Sequence, residues 1–372
     1  MKIILFLVSS LAAAGFAVDY FSFFEKNKSQ VVHNQAVVAD FQKMGNTENP
    51  VELGKVNWSR DFEKAKKSAL EAQKPLLVLF QEVPGCSTCT RFGSTVLSHP
   101  LLVEAIETYF VPVCIHNNKG GDDRRVLEKF GEPAWNNPVV RIVSPEKEAD
   151  LVPRISGNYT PLGLASGIIA ALEKQGKTAP IWLDLLEKNL RAEENGTSEA
   201  VFAMSCFWAG EGKLGAMDGV TATQPGYMDG HEVVKVSYDP DVVSYENLVK
   251  KSRESGCAST VFCKNDSEIS AAEAVVGKNS VSQKSSFRPD REPKYYLSQT
   301  VWRFVPMTET QASRANALIG QGQPPAPVLS PRQVELADFI SKNTKKHWKE
   351  MVGATELVKA WAEVEAVRDK AD

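Results

Sequence analysis

The sequence predicts two successive units of mixed helix and strand, the first over residues 53 to 176 and the second over residues 200 to 322. Three observations carry this. Leu76-Leu77-Val78-Leu79-Phe80 is a continuous apolar run, the pattern of a strand buried on both faces of a sheet. Ala200-Val201-Phe202-Ala203-Met204 opens a second series of strand-like runs. Between the two, Glu193-Glu194-Asn195-Gly196-Thr197-Ser198-Glu199 has the composition of a polar connection. A chain of 372 residues is long enough for two or three separate cores. Its formal charge of −3 and the lack of any Lys/Arg block argue against a nucleic-acid binder.

The chain starts with Lys2 and an apolar run over residues 3 to 14, too short to span a bilayer comfortably. Gly15-Phe16-Ala17 offers small residues at the positions a signal peptidase inspects, so residues 1 to 17 read as an export signal. Apolar character resumes from Tyr20 to Phe24, which keeps an uncut N-terminal membrane anchor as the competing reading. Either way the remainder is expected outside the cytoplasm, periplasmic or secreted. Residues 18 to 52 read as a polar lead-in.

In the first unit, Phe62, Ala65, Ala69 and Leu70 lie at helical spacing, and Lys74-Pro75 ends the helix they predict over residues 59 to 73. The strand 76 to 80 follows. Pro84-Gly85 turns the chain, and Cys86-Ser87-Thr88-Cys89 opens the next helix. Further elements are expected as a helix over 101 to 109, a strand over 110 to 115 and a helix over 122 to 130. Asn137-Pro138 then precedes a strand over 139 to 143, with another strand over 151 to 155 and a closing helix from Thr160-Pro161 to about 174. The chain has six cysteines, and in an exported protein the plain expectation is three structural disulfides. The C-x-x-C spacing of Cys86 and Cys89 resists it, being a redox or metal spacing. No second C-x-x-C or nearby His pair completes a zinc site, so a redox dithiol with no metal and no cofactor is expected. Cys114, in an apolar run, reads as a small buried residue.

Helix, strand, C-x-x-C, helix, then a proline leading into a strand resembles the thioredoxin fold over residues 53 to 176. The resemblance implies that Pro138 follows a cis bond and faces Cys86 and Cys89. The first thiol would be activated at a helix N-terminus and the second would resolve the mixed disulfide. Ser-Thr between the cysteines and Val83-Pro84-Gly85 before them depart from the usual reducing pattern. A permanent structural disulfide is the alternative for this pair.

A helix over 181 to 190 and the polar connection lead to the second unit, and Asn195-Gly196-Thr197 also fits a glycosylation sequon. There a lone thiol, Cys206, is followed at once by Phe207 and Trp208, then by small residues and Glu211. Aromatics beside a thiol at a helix start suit attack on something small and apolar. Downstream come Gly219-Val220, Thr223-Gln224-Pro225-Gly226-Tyr227, Gly230-His231-Glu232-Val233-Val234 and Tyr238-Asp239-Pro240, with a helix expected over 244 to 255. In this order the pieces resemble the methionine sulfoxide reductase A family, the peptide-methionine (S)-S-oxide reductases, over about residues 199 to 320. The resemblance implies a ferredoxin-like α/β domain. It implies that Cys206 attacks the sulfoxide sulfur, that Phe207 and Trp208 hold the methyl group, and that Glu232, as a neutral acid raised by burial, protonates the oxygen.

The departures are specific. The family's longer loop before Gly-His, with its oxygen-binding tyrosine, is absent, since Tyr227-Met228-Asp229-Gly230 runs directly into His231-Glu232. Tyr227 matches the other tyrosine of the motif. In Asp290 to Ser298, spacing from Asp290 selects Tyr295 as the second oxygen-binding tyrosine, and spacing to Ser298 selects Tyr296. Residues 256 to 288 read as an insertion carrying Cys257 and Cys263, one of them the resolving thiol on a mobile arm, or both joined in a structural disulfide. Residues 323 to 372 read as a helical extension, with helices over 332 to 340 and 355 to 367.

The function expected is reduction of oxidised methionine in proteins or peptides, with the first unit recycling the disulfide and a membrane or periplasmic thiol donor feeding it. The alternative is a thiol–disulfide oxidoreductase acting through Cys86 and Cys89, whose second unit only binds clients.

Overall fold

The computed structural model describes residues 48 to 353 and 356 to 369, and the expected export signal with the lead-in up to residue 47 lies outside the described residues. Among the described residues no helix is long and apolar enough to cross a membrane.

The first unit is built on β1 (Leu76–Gln81), β2 (Val111–His116), β3 (Val139–Val143) and β4 (Ile155–Ser156), in the order β2-β1-β3-β4. All six residues of β1 are buried, because it is central. It pairs parallel with β2 and antiparallel with β3. Helices α1 (Phe62–Ala72), α2 (Ser87–Thr95), α3 (Pro100–Tyr109), α4 (Asp122–Phe130) and α5 (Pro161–Lys174) cover it. Successive strand residues face opposite sides. Leu77 and Leu79 therefore enter one core with Phe92, Ile106 and Ile168, while Leu76, Val78 and Phe80 enter another with Phe62, Ala69 and Leu127. Asp61 caps α1 by accepting from the Lys64 N–H at 2.9 Å. The strand expected over 151 to 155 shrinks to Ile155–Ser156, because Pro153 has no N–H to give a ladder. A central strand with a parallel and an antiparallel neighbour, helices on both faces and a C-x-x-C at its exit is a thioredoxin-like fold.

Helix α6 (Ile181–Asn195) runs past its expected end at 190. Glu193 and Glu194 favour helix, Asn189 Nδ2 donates to Glu193 at 2.7 Å, and Gly196 at φ 80° stops the helix. Only Gly196-Thr197 separates it from the second sheet, so most of the expected polar connection is helix and strand. Trp182, Leu183, Leu186 and Leu190 of α6 join the first core, while Leu185 joins that of the C-terminal helices.

The second sheet comprises β5 (Ser198–Ala203), β6 (Val220–Met228), β7 (His231–Tyr238), β8 (Thr260–Cys263), β9 (Val281–Gln283) and β10 (Arg288–Pro289), ordered β10-β6-β7-β5-β8-β9. Helices α7 (Phe207–Gly215), α8 (Tyr245–Glu254) and α9 (Asp266–Val276) belong to it. β6 and β7 form a hairpin in which Met228 pairs with His231, and Asp229 and Gly230 both take positive φ. Asp-Gly suits a two-residue turn that needs this conformation twice. β6 runs straight through Pro225-Gly226. The Asp290 N–H donates to the Pro225 carbonyl at 2.9 Å, so the missing proline donor faces the short β10 edge and breaks no central pairing. Residues 256 to 288 form no loose arm: they supply β8, paired with β5, then α9 and β9.

The chain ends in α10 (Tyr295–Ser298), α11 (Glu309–Gly320), α12 (Pro331–Lys342) and α13 (Leu357–Arg368), around a core with Trp302, Met307, Leu336 and Trp361. Thr308 with Gln311 and Ser330 with Gln333 form capping boxes at α11 and α12. Glu104 of α3 is buried beneath α12 and accepts the Arg332 N–H at 2.8 Å. Burial pushes its carboxyl up from 4.5 to about 7. A carboxyl raised in the folded state stabilises fully below the unfolded value and loses that contribution as pH climbs through the folded one. Stability is therefore expected to fall between about pH 4.5 and 7, by at most ~3.5 kcal/mol at ~1.4 kcal/mol per pH unit. Urea unfolding at pH 5 and pH 8 checks this: Glu104→Gln should gain stability relative to wild type at pH 8 but not at pH 5. An equal difference at both pH values would contradict it.

Candidate active site

β5 carries the chain to Cys206. The Ala203 carbonyl accepts from both the Ser259 N–H and Oγ at 2.9 Å, and the Met204 N–H donates to the Glu232 carbonyl at 3.1 Å. Cys206 then takes the N-cap position of α7 and is exposed. The helix packs tightly on the strand exit: a Cβ at Gly210 would lie 1.7 Å from the Met204 sulfur. Glu232 pairs with Tyr227 across the hairpin, and its Oε2 accepts the Phe207 N–H at 2.9 Å. The Glu232 side chain and the Cys206 thiol thus share the start of one helix, where the first N–H groups lack intrahelical acceptors.

Aromatic rings surround this helix start. Phe207 is buried and meets Trp208 at 5.6 Å between centroids and Tyr227 edge-on at 5.3 Å. Arg288 lies over the Tyr227 ring at 4.2 Å. Tyr295 stacks on Trp208 at 4.0 Å and 11°, and Tyr296 meets Tyr295 at 5.7 Å. Burial pushes the Tyr296 phenol up, and charge on Cys206 and on Tyr295 pushes it the same way, so Tyr296 keeps its proton. Gly320 leaves room for that ring, since a Cβ there would sit 2.7 Å from Tyr296 Cδ2. The two tyrosines that sequence spacing left as rivals therefore take different places. Tyr295 completes the aromatic stack, and Tyr296 packs its ring between Gly212 of α7 and Gly320 of α11.

A buried ion pair holds this tyrosine segment to α7. Lys294, at φ 55°, donates its N–H to Glu211 Oε2 at 2.8 Å and its Nζ to Glu211 Oε1 at 3.2 Å. Nζ also donates to the Thr223 carbonyl at 2.5 Å, and Thr223 Oγ1 donates to Glu211 at 3.2 Å. Burial pulls the ammonium down, but Glu211 and Glu309 outweigh it and hold its charge. Nothing in the sequence around Lys294 marks it as buried.

A second constellation lies at the exit of β1. Cys86 is exposed at the N-cap of α2 and Cys89 is buried, with the sulfurs 3.4 Å apart. Hydrogen bonding from the Cys89 backbone leads in lowering the Cys86 thiol, and burial pushes Cys89 up to about 11. The Cys89 thiol donates to Asn137 Oδ1 at 2.6 Å, and the Asn137–Pro138 peptide is cis. An exposed nucleophile backed by a protonated thiol can open a disulfide and then release the mixed species.

Cys257 and Cys263 share the buried cluster of Phe207, against which Trp208 and Tyr227 pack. Both are buried in the core of the second sheet, Cys263 with the Tyr245 hydroxyl 3.4 Å from its sulfur. Burial pushes the Cys263 thiol up. Cys257 leads into Ser259, which holds the end of β5 just before Cys206. Cys114 is buried in β2.

With this geometry in place, known proteins can be compared. A thioredoxin-like family model matches residues 57–145. The mitochondrial peptide methionine sulfoxide reductase of Mus musculus is 30% identical over 168 residues, covering 39% of this chain and 71% of that protein. The peptide methionine sulfoxide reductase MsrA of Methanococcus maripaludis is 38% identical over 71 residues, covering 14% of this chain and 45% of that protein. The chain thus spans less than half the length of the archaeal relative. Among solved structures, a DsbH oxidoreductase aligns over 34% of this chain and 92% of its own length, at 13% identity and a TM-score of 0.28. By the match to the mouse protein, the chain belongs to the peptide methionine sulfoxide reductase family, oxidoreductases that act on sulfur groups.

Proposed function

We propose that this protein reduces the S-epimer of methionine sulfoxide in proteins or peptides at Cys206, and that Cys86 and Cys89 return the electrons. The observation that carries the proposal is the convergence of Cys206, Glu232, Phe207, Trp208, Tyr227, Tyr295 and Tyr296 on one helix start. The second sheet with its helices is then a ferredoxin-like domain of the methionine sulfoxide reductase A type over residues 200 to 322, C-terminal to the thioredoxin-like domain. The proposed setting lies outside the cytoplasm, on the strength of residues 1 to 17, with a membrane or periplasmic thiol as final donor.

The chemistry follows from the site. The Cys206 thiolate attacks the sulfoxide sulfur while Phe207 and Trp208 hold the methyl group by apolar and sulfur–aromatic contact. Tyr296 and the Glu232 carboxyl meet the oxygen and supply its protons. Methionine leaves, and Cys206 holds the oxygen as a sulfenic acid. A second thiol, from Cys257 or Cys263, condenses with it once local opening of β8 or its flanking loop frees the buried sulfur, forming a disulfide and releasing water. Cys86 attacks that disulfide and Cys89 resolves the mixed species, leaving a Cys86–Cys89 disulfide for the external donor. Fusion in one chain makes the recycling step intramolecular.

Counting turnovers tests both halves. The fully reduced protein, given S-sulfoxide and no reductant, should form two methionines per chain, and Cys86→Ser only one. No methionine from wild type would sink the reductase reading and favour a dithiol oxidoreductase with a client-binding second domain. Two from Cys86→Ser would sink the recycling role. The tyrosines separate in the same assay with excess dithiol. Tyr296→Phe should lower kcat on the order of 10²-fold by removing a hydrogen-bond donor to the developing oxyanion, and Tyr295→Phe only a few-fold.

A further inference from the structure

We propose that the reduced Cys86–Cys89 dithiol and the Glu82 carboxylate together form a binding site for a divalent cation of zinc's character. The sequence pointed away from a metal because no second C-x-x-C or His pair lies near. The fold supplies a third donor that spacing alone did not suggest. A carboxylate oxygen of Glu82 and the two sulfurs all lie within 4.8 Å of one another. The sulfurs are 3.4 Å apart, close to the ~3.8 Å edge that two Zn–S bonds of about 2.3 Å make at a tetrahedral angle. Asn137 Oδ1, which accepts the Cys89 thiol at 2.6 Å, loses that donor when the thiol is deprotonated by a metal, and water is left to complete the coordination.

The scaffold holds these donors in place. Gly85 between Glu82 and Cys86 donates its N–H to Glu52 Oε1 at 2.9 Å. Asn118 accepts from the Val83 N–H at 3.3 Å and donates to the Pro84 carbonyl at 3.2 Å. The turn is therefore bound on both sides, and Glu82 is half-buried instead of free at a surface. Beneath it, fully buried Gln81 donates to the Cys89 carbonyl at 3.2 Å while its Oε1 has no partner, and buried Asn117 Oδ1 has none either. Two buried acceptors thus lack donors at the ends of β1 and β2, the first of them next in the chain to the turn that carries Glu82 and Cys86. Exposed Cys86 leaves the entry path open.

Two thiols and a carboxylate suit zinc or a similarly soft cation over magnesium or calcium, which prefer all-oxygen sites. Binding forms two metal–sulfur bonds and releases two protons, with no change in the oxidation state of sulfur. A dithiol capped in this way cannot pass electrons, so the metal would reversibly halt recycling through Cys86 while leaving Cys206 free.

The test uses the full chain, reduced with a phosphine, stripped of metal and titrated with Zn2+ against a chromophoric chelator. One zinc per chain is expected at this site, lost in Cys86→Ser and bound at least tenfold more weakly by Glu82→Gln. X-ray absorption on the wild-type complex should show two sulfur ligands and the rest oxygen, a readout that needs no variant to fold. Failure to hold zinc, equal retention by Cys86→Ser, unchanged affinity in Glu82→Gln, or a different sulfur count would overturn the proposal.

Discussion

Replacing Cys206 with serine is expected to reduce methionine sulfoxide turnover to background, a loss on the order of 10³-fold or more. The geometry gives the reason. Cys206 is the only thiol at the aromatic helix start, whereas Cys257 and Cys263 are buried in the core of the sheet behind it. A serine hydroxyl retains the N-cap, so α7 and its hydrogen bond to Glu232 should survive. It is not oxidised to a sulfenic acid, so the two electrons that convert sulfoxide to sulfide have no source. Because Cys206 is exposed, stability should change little. Activity with dithiothreitol and S-sulfoxide, alongside urea unfolding, measures both. Turnover that survives in a folded Cys206→Ser protein would move the chemistry to another thiol.

Much of the framework was legible in sequence because single strong patterns set it. The run from Leu76 to Phe80 is central and buried on both sides, so it leaves nothing to alternate. Cys86 and Cys206 each follow a strand and open a helix, and both are N-caps in the structure. Other elements were obscured for identifiable physical reasons. Glu193 and Glu194 read as connection by polarity, yet their helix propensity prevailed. The strand expected around Thr223 to Tyr227 tolerates Pro225 because its missing donor faces only the short β10. The Asp229-Gly230 hairpin that replaces the family's longer loop sets Tyr227 directly opposite Glu232.

The site itself was half legible. Cys206, Phe207, Trp208 and Glu232 stood out by motif. The places of the two tyrosines did not, because Tyr295 and Tyr296 are adjacent and each satisfies one side of the spacing. Only tertiary packing decides, through the Trp208 stack on Tyr295 and the space that Gly320 leaves for Tyr296. Lys294 and Glu82 were invisible for a common reason: a charged residue's sequence does not reveal that the chain on either side buries it or turns it towards a partner.

Lys294→Met should be the most destabilising single change in the second unit, at about 3–5 kcal/mol. Its ammonium is buried and donates to Glu211 and to the Thr223 carbonyl, while Glu211 is fully buried at the centre of α7. Methionine fills similar volume but leaves a carboxylate in the core without its countercharge. Adding Glu211→Gln should recover most of the loss, because the amide keeps an acceptor for the residue 294 N–H and offers a donor to the Thr223 carbonyl. Urea unfolding of the four proteins in a double-mutant cycle gives the coupling, expected at 2 kcal/mol or more. A single-mutant cost under about 1 kcal/mol, or strictly additive losses, would show that the pair is not what joins these elements. The pair also ties the nucleophile's helix to the tyrosines, through the Lys294 N–H immediately before Tyr295. The double variant, with charge removed but acceptor retained, should therefore keep kcat nearer wild type than Lys294→Met does. That ordering would make the ion pair a means of placing Tyr296 against Cys206 as well as a source of stability.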